Sequence, residues 1–208
     1  MSKLLYIEAS PSKSRSHTIA VAQAFLEAYR VAHPQDEIER VDLWDRVLPP
    51  FDNATIEAKF AVLRRNDFTP EQFARWNAVR EVSRHFNSAD KYVFSVPMWN
   101  FGVPYPLKHY IDVVTLPGEN WTWSRAAGYG TIFQGKKALA IYATANPHVR
   151  SGEGMDDFQK PFLRQWLRFI GIDDVQEITV APTLSDPETV GQLRAAAIAS
   201  ATKLAADF

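Results

Sequence analysis

A run of hydroxyl-bearing and basic residues, residues 10–18, carries the most informative chemistry of this chain. It reads SPSKSRSHT and stands between an apolar stretch, residues 4–7, and a helical pattern. At a strand-to-helix turn, free backbone N–H groups and the positive end of the helix dipole favour an anion. The serine and threonine hydroxyls add further hydrogen-bond donors. The run therefore predicts a phosphate-binding turn.

The absence of glycine from this part of the chain restricts which kind of phosphate group it could bind. Dinucleotide-binding turns and P-loops use glycine so that the backbone can approach a pyrophosphate closely. No glycine precedes Gly102 here, so the sequence favours a monophosphate held by hydroxyl groups. A plainer interpretation stays open, in which Ser16 or Thr18 only caps the following helix.

A second loop combines prolines, aromatic rings and an amide. It covers residues 97–104, with the sequence PMWNFGVP, and follows another apolar stretch. The backbone donors of a proline-flanked turn, the Asn100 amide and the faces of Trp99 and Phe101 would suit a planar aromatic ligand. The alternative is that these aromatic residues only pack beneath a proline-rich turn.

Strand-like and helical segments alternate along the chain and must position both loops. Strand-length apolar segments occupy residues 4–7, 92–96, 138–143 and 175–181, with a weaker candidate at residues 37–43. Helical periodicity occupies residues 18–33, 54–65, 70–87, 105–114, 157–170 and 187–206. Strands separated by helices run parallel through right-handed crossovers, which predicts a doubly wound α/β sheet with helices on both faces.

In such a sheet, with strand order 2-1-3-4-5, the loops after strands one and three flank one crevice. The two candidate loops should therefore face each other. The long connection over residues 43–92 holds two helical patterns and no domain boundary, so we expect one domain over residues 1–208. The connection over residues 116–136 carries glycines, Trp121 and Trp123, and should form a structured excursion over a pocket or a partner.

Composition excludes several functional classes. Lysine plus arginine (23) nearly balances aspartate plus glutamate (24), so no global field recruits nucleic acid or an anionic membrane. The chain has no cysteine, which excludes disulfides and a cysteine nucleophile, and its histidines include no close pair at metal-ligand spacing. The first apolar run breaks at Glu8, too early for a signal peptide. We expect a soluble, cytoplasmic protein without a metal site.

Several separated motifs resemble the family of FMN-dependent NADH:azoreductases and NAD(P)H:quinone oxidoreductases. Residues 97–102 look like the family's P-M-Y-N-F flavin loop, and residues 107–112, LKHYID, are similar to its L-K-x-Y-x-D continuation. Segments at residues 135–137 and 163–171 also look like family segments, in the same order and spacing. The resemblance implies a flavodoxin-like fold, with one FMN-binding domain and a five-stranded parallel sheet of order 2-1-3-4-5.

The resemblance also implies three groups of flavin contacts. The phosphate contacts fall on Ser10, Ser16, His17 and Thr18. The isoalloxazine contacts fall on Pro97, Met98, Trp99, Asn100 and Phe101, where Trp99 replaces the family's usual tyrosine. The third group falls on Ala143, Thr144, Ala145 and Asn146, which replace the family's S-R-G-G. That replacement removes the serine and both glycines, so this loop is expected to follow a different path. Its backbone N–H groups could still reach the flavin's polar edge, and Thr144 and Asn146 offer replacement donors.

An enzyme of this family would bind FMN, accept a hydride from NADH or NADPH at flavin N5, and then reduce a quinone, azo or nitroaromatic compound by ping-pong kinetics. The cofactor carries the chemistry, so no catalytic side chain is predicted. The resemblance implies a homodimer with active sites at the interface and with Trp121, Trp123 and Phe169 shaping the acceptor pocket. Trp121 and Trp123 would also suit simple burial at a dimer contact. His148 either contacts the substrate or supplies a proton, or it lies in solvent.

Two other functions stay open at this stage. A flavodoxin-type electron carrier would bind FMN without turning over nicotinamide, but such carriers present a strongly acidic face and this chain has a net charge of −1. A non-enzymatic flavodoxin-like interaction module is raised by the altered loop at residues 143–146. Binding of FMN and oxidation of NADH distinguish the three.

Overall fold

A computed structural model describes residues 1–64, 67–146 and 157–208. Its strands are β1 (Lys3–Glu8), β2 (Glu37–Asp42), β3 (Lys91–Pro97), β4 (Trp121–Ser124), β5 (Gly128–Thr131), β6 (Lys137–Ala143) and β7 (Asp174–Val180). Its helices are α1 (His17–Ala32), α2 (Asn53–Leu63), α3 (Pro70–Asn87), α4 (Tyr105–Val114), α5 (Gln159–Ile170) and α6 (Pro187–Leu204). Every predicted strand and helix is confirmed at nearly the predicted bounds.

Five parallel strands form the main sheet, in the order β2-β1-β3-β6-β7. Counted within this sheet alone, the order is the expected 2-1-3-4-5. The central strands β1, β3 and β6 are almost continuously apolar because helices cover both of their faces. β2 lies at an edge, which explains why charges interrupt its apolar residues.

Helices cover both faces of the sheet and bury one core cluster on each side. On one face, Trp76 and Phe86 of α3 pack with Phe94 of β3. On the other face, Phe25 of α1 packs with Val93 of β3. Each such side chain contributes about 1.5–3 kcal/mol to stability by burial. The sheet is therefore held firmly enough to fix the loops at its carboxyl edge.

The second helix of the long connection begins where its capping signals lie. Thr69 accepts a hydrogen bond from the Gln72 N–H at 3.1 Å, and the Gln72 side chain accepts one from the Thr69 N–H at 3.0 Å. Pro70 occupies the first helical position, where its missing N–H costs nothing. This capping box starts α3 at the predicted residue.

The excursion over residues 116–136 is a β-hairpin, which the sequence did not predict. Its strands β4 and β5 pair antiparallel, with Trp121 opposite Thr131. Buried Asn120 fixes the base of the hairpin, because its Oδ1 accepts from the Leu116 N–H at 3.1 Å and its Nδ2 donates to the Val114 carbonyl at 2.6 Å. Each strand has four residues, too few for a periodic signal.

Two classes of feature are missing from the described ranges, 1–64, 67–146 and 157–208. None of the helices there is long and apolar enough to cross a membrane. No group of three or more metal-ligating side chains occurs there either.

Candidate functional site

Three loops meet at the carboxyl edge of the sheet, because β1, β3 and β6 are neighbours there and run parallel. Loop 1 (residues 9–16) follows β1, loop 2 (residues 98–104) follows β3, and loop 3 (residues 144–146) follows β6. The fold thus brings the three predicted groups of flavin-contact residues to one edge, where open α/β sheets bind ligands.

Loop 1 presents buried hydroxyls at the start of α1. Ser10, Ser16 and Thr18 are each less than a tenth exposed. Ser16 caps α1, since its Oγ accepts from the Ile19 N–H at 3.3 Å, and it lies 3.1 Å from Thr18 Oγ1. Ser16 is therefore the helix cap, but capping does not use all the donors. The backbone N–H groups of His17 and Thr18 have no partner among the described residues.

The imidazole of His17 adds another unmet hydrogen-bonding group at this place. Its Nδ1 is buried and has no partner among the described residues. Burial lowers the pKa of His17, and the positive charge of Arg194 lowers it further, so the ring favours the neutral form. A buried polar atom normally has a partner. In the tautomer with a proton on Nδ1, an oxyanion next to the α1 N-terminus would supply that partner.

Loop 2 is a two-residue turn in a strained conformation. The Trp99 N–H donates to the Gly102 carbonyl at 3.0 Å, and the Gly102 N–H donates back at 2.9 Å. Between them, Asn100 and Phe101 have φ angles of 46° and 69°. Asparagine adopts this left-handed region readily, but phenylalanine rarely does. Strain of this kind persists where the surroundings impose it, and it is common at ligand sites.

The aromatic rings of loop 2 are partly exposed, which simple packing beneath the turn does not require. Phe101 is 53% exposed and Trp99 is 38% exposed. The exposed part of these rings is available to a planar ligand.

Trp44 is a residue of the site that sequence reasoning missed. It follows β2, its Nε1 donates to the Ala9 carbonyl at 3.0 Å, and its ring centroid lies 5.5 Å from that of Trp99. Tyr105 completes the cluster, with its ring 5.5 Å from Trp44 and 6.2 Å from Trp99. Trp44 therefore connects loop 1 to loop 2. The available signal was a tryptophan directly after the strand that neighbours β1.

Loop 3 is joined to loop 2 by the backbone, since the Met98 N–H donates to the Ala143 carbonyl at 2.9 Å. Inside loop 3, buried Thr144 donates through Oγ1 to the Asn146 carbonyl at 2.7 Å. None of residues 143–146 has a positive φ, so this backbone path needs no glycine. The carbonyls of Thr144 and Ala145 are used by the segment after β7, which fixes the loop from the other side.

The predicted acceptor-pocket residues come together only in part. Trp121 and Phe169 have ring centroids 5.6 Å apart, and Tyr129 lies 5.6 Å from the first and 5.7 Å from the second. Trp123 is 60% exposed on the same hairpin. The predicted residue His148 lies outside the described residues.

This aromatic group is distant from loop 2 within one chain. The start of α5 is tied to loop 2, because the Phe158 N–H donates to the Phe101 carbonyl at 2.9 Å. Phe169 lies near the other end of α5. At 1.5 Å rise per residue, the two ends are about 16 Å apart. The group therefore does not line the same chain's loop 2.

Comparison with known proteins decides the family. A profile of the flavodoxin-like fold family matches residues 2–204. The chain belongs to this flavodoxin-like family. The relationship explains why the sheet order and the three loops of the carboxyl edge agree with the motifs of the sequence.

Relatives from other organisms resemble the chain over its full length. An FMN-dependent NADH:quinone oxidoreductase of Desulfotalea psychrophila is 40% identical over 208 residues, covering 100% of this chain and 98% of the relative. One of the same name from Nitratidesulfovibrio vulgaris is 37% identical over 211 residues, covering 100% of both. The crystal structure of an FMN-dependent NADH-azoreductase from Bacillus anthracis in complex with FMN has a TM-score of 0.85 at 26% identity, over 99% of this chain and 100% of that one.

Proposed function

We propose that this protein is an FMN-dependent NADH:quinone oxidoreductase that also reduces azo compounds, and that residues 1–208 form one FMN-binding domain. The observation that carries the proposal is the meeting of three loops at one sheet edge, where loop 1 has unmet donors and loop 2 has half-exposed rings. The names of the full-length relatives support the same activity.

The phosphate of FMN fits loop 1 and the start of α1. The free N–H groups of His17 and Thr18, the hydroxyls of Ser10 and Ser16, and the unpartnered Nδ1 of His17 would bind its oxygens. These donors lie at the positive end of the α1 dipole, which favours a dianion. This donor group contains no glycine, which is consistent with a monophosphate rather than a pyrophosphate.

The isoalloxazine ring fits loops 2 and 3. Trp99 and Phe101 supply aromatic faces, Asn100 supplies an amide, and the backbone of Thr144 and Asn146 lies at the adjoining strand end. When bound, FMN supplies the hydride chemistry by taking two electrons from NADH and passing them to the acceptor. Residues 98–104 and 143–146 include no ionisable side chain, so these loops orient the ring and exclude water without moving a proton.

A homodimer would bring the remaining pocket walls to the flavin. The Trp121, Tyr129 and Phe169 group is about 16 Å along α5 from loop 2 of its own chain, and Tyr129 is largely exposed. Beside loop 2, an apolar cleft of about 460 Å³ is lined by Gly102, Val103, Lys108, Phe158, Pro161 and Phe162. A partner chain that covers this cleft would place its own aromatic residues near loop 2. Flat aromatic walls suit quinones and azo compounds, because stacking needs few specific hydrogen bonds.

The test is steady-state turnover of the FMN-reconstituted protein with NADH and benzoquinone. We expect FMN to bind and parallel double-reciprocal lines at several fixed quinone concentrations, as two separate half-reactions require. FMN binding without NADH oxidation would overturn the enzyme and favour an electron carrier. Failure to bind FMN would favour an interaction module. Sedimentation velocity tests the dimer separately, and a single monomeric species would contradict it.

A further inference from the structure

Four charged side chains form a cluster at the carboxyl ends of β1 and β2. The Lys13 ammonium of loop 1 donates to Glu8 Oε1 at 3.1 Å and also to Asp42. Arg40 Nη2 donates to the same two carboxylates, at 3.0 Å to Glu8 and 2.5 Å to Asp42. Glu8 is 2% exposed, and Lys13 and Arg40 are its ion-pair partners. We call Glu8, Lys13, Arg40 and Asp42 the charge cluster.

The backbone of Lys13 is part of the phosphate loop itself. It has a φ of 48°, in the left-handed region that residues other than glycine seldom occupy. Its carbonyl accepts a hydrogen bond from the Ser16 N–H at 2.9 Å. Ser16 in turn caps α1 and lies 3.1 Å from Thr18 Oγ1. The Lys13 backbone is therefore bonded directly to the residue that carries the capping hydroxyl.

The ammonium of Lys13 is committed to the carboxylates. Burial alone would lower its pKa, but hydrogen bonds to Asp42 and Glu8 outweigh burial and raise the pKa. Burial likewise would raise the pKa of Asp42, but hydrogen bonds from Lys13, the Trp44 N–H and Arg40 lower it to about 2. Lys13, Arg40 and Asp42 are thus held in their charged forms near neutral pH. Two cations balance two anions, and no positive charge is left for a ligand.

We propose that Lys13 is a positioning residue of the phosphate loop. Held by Glu8 and Asp42, it keeps loop 1 in the left-handed turn that presents Ser16 and Thr18 to the phosphate, and it does not serve as the phosphate's counter-ion. In this chain the ion pairs do what glycine does in other phosphate loops, which is to make a positive φ tolerable. The proposal rests on the proposed function, because the phosphate is that of FMN.

The direction in which one substitution changes FMN affinity distinguishes a positioning role of Lys13 from direct contact with the phosphate. Asp42→Asn weakens the hold on Lys13 without changing any residue of loop 1. If Lys13 positions the loop, both Lys13→Met and Asp42→Asn weaken FMN binding about tenfold, and the double variant is no worse than either single one. If Lys13 binds phosphate directly, Asp42→Asn frees the ammonium and tightens FMN binding. That result, or an additive double variant, would overturn the proposal.

Riboflavin and Arg40→Met provide the matched controls. Riboflavin has the same ring but no phosphate, so we expect its dissociation constant to stay within about twofold in all variants. Arg40→Met removes a cation from the same carboxylates but leaves Lys13 with both, so FMN binding should also stay within about twofold. An equal loss in Arg40→Met and Lys13→Met would overturn the proposal, since it would indicate a general effect of unpaired carboxylates.

A second readout does not need FMN. In the protein without FMN, hydrogen exchange of the Ser16 amide should become about tenfold faster in Lys13→Met and Asp42→Asn, and should be unchanged in Arg40→Met. Unchanged exchange in Lys13→Met would overturn the positioning role. If the unaltered protein fails to bind FMN, the proposed function fails, while the exchange experiment still decides the role of Lys13.

Discussion

The Met98 N–H donates to the Ala143 carbonyl at 2.9 Å, so loop 2 and loop 3 are joined by their backbones. A backbone bond is independent of side-chain identity. Loop 3 can therefore lack the serine and both glycines expected of its relatives and still lie beside loop 2. Its order comes from Thr144, whose Oγ1 donates to the Asn146 carbonyl at 2.7 Å.

Thr144→Val tests the hydroxyl that closes loop 3. Valine keeps the β-branched shape of this buried residue but cannot donate to Asn146. Loss of one buried hydrogen bond costs about 1 kcal/mol, so we expect FMN binding to weaken about fivefold. Thr144→Ser is the matched control and should bind FMN nearly normally. Fluorescence titration measures the FMN affinity of both variants. Equal affinity in the two variants and the unaltered protein would show that the Thr144 hydroxyl does not contribute to flavin binding.

Asn100 substitutions separate the conformation of loop 2 from its chemistry. At a φ of 46°, Asn100→Val places a β-branched residue in a forbidden region and should lower the free energy of unfolding by about 1–3 kcal/mol. Asn100→Gly fits the same φ, so its stability should be close to normal while its FMN affinity falls with loss of the amide. Urea unfolding and FMN titration measure the two effects. Equal stability of both variants would contradict the strained turn.

Gly171 shows where the end of α5 meets the segment after the hairpin. It has a φ of 94°, and an added Cβ would lie 2.6 Å from the Phe133 carbonyl oxygen. Gly171→Ala should therefore lower the free energy of unfolding by about 2 kcal/mol or more. Gly191 in α6 is the control, because an added Cβ meets nothing there and alanine favours the helix by about 1 kcal/mol. Thermal or urea unfolding should thus show opposite signs for the two variants.

The ion pairs of Asp42 predict a pH dependence of stability. The folded pKa of Asp42 is lowered to about 2, below its value of about 3.9 in an unfolded chain. A lowered carboxyl pKa stabilises the fold above the unfolded value, and this contribution disappears as the pH falls through the folded one. The stability advantage of the unaltered protein over Asp42→Asn should therefore be constant above about pH 5 and shrink between about pH 4 and 2. A constant difference down to pH 2 would contradict the assignment.

The sequence predicted the main strands and helices because each of them has its own run of apolar residues or its own capping residues. The β1 segment is buried along almost its whole length, and the start of α3 carries a complete capping box at Thr69 and Gln72. The hairpin of β4 and β5 has no such signal, since its short strands are stabilised by Asn120 and by packing of Trp121 on Phe169. The Trp121–Phe169 contact joins residues far apart in sequence.

Sequence motifs identified the candidate-site residues that lie within one loop. They missed the residues that reach the site only because their strands are neighbours in the sheet. Ser16, Thr18 and Phe101 lie in runs whose composition indicated a ligand. Trp44 became part of the site only because β2 pairs with β1, which brings its indole to the Ala9 carbonyl. The charge cluster likewise joins Lys13 to Asp42 across 29 positions of sequence. No local pattern contains such a pairing.

The most direct test of the account is an anaerobic stopped-flow experiment on the FMN-reconstituted protein, mixed first with NADH or NADPH and then with benzoquinone. We predict that the flavin absorbance bleaches with the nicotinamide donor and recovers rapidly with quinone, and that the faster donor is the preferred one. Tight FMN binding without bleaching by either nucleotide would contradict the proposed enzyme, and would leave an electron carrier built on the same three loops.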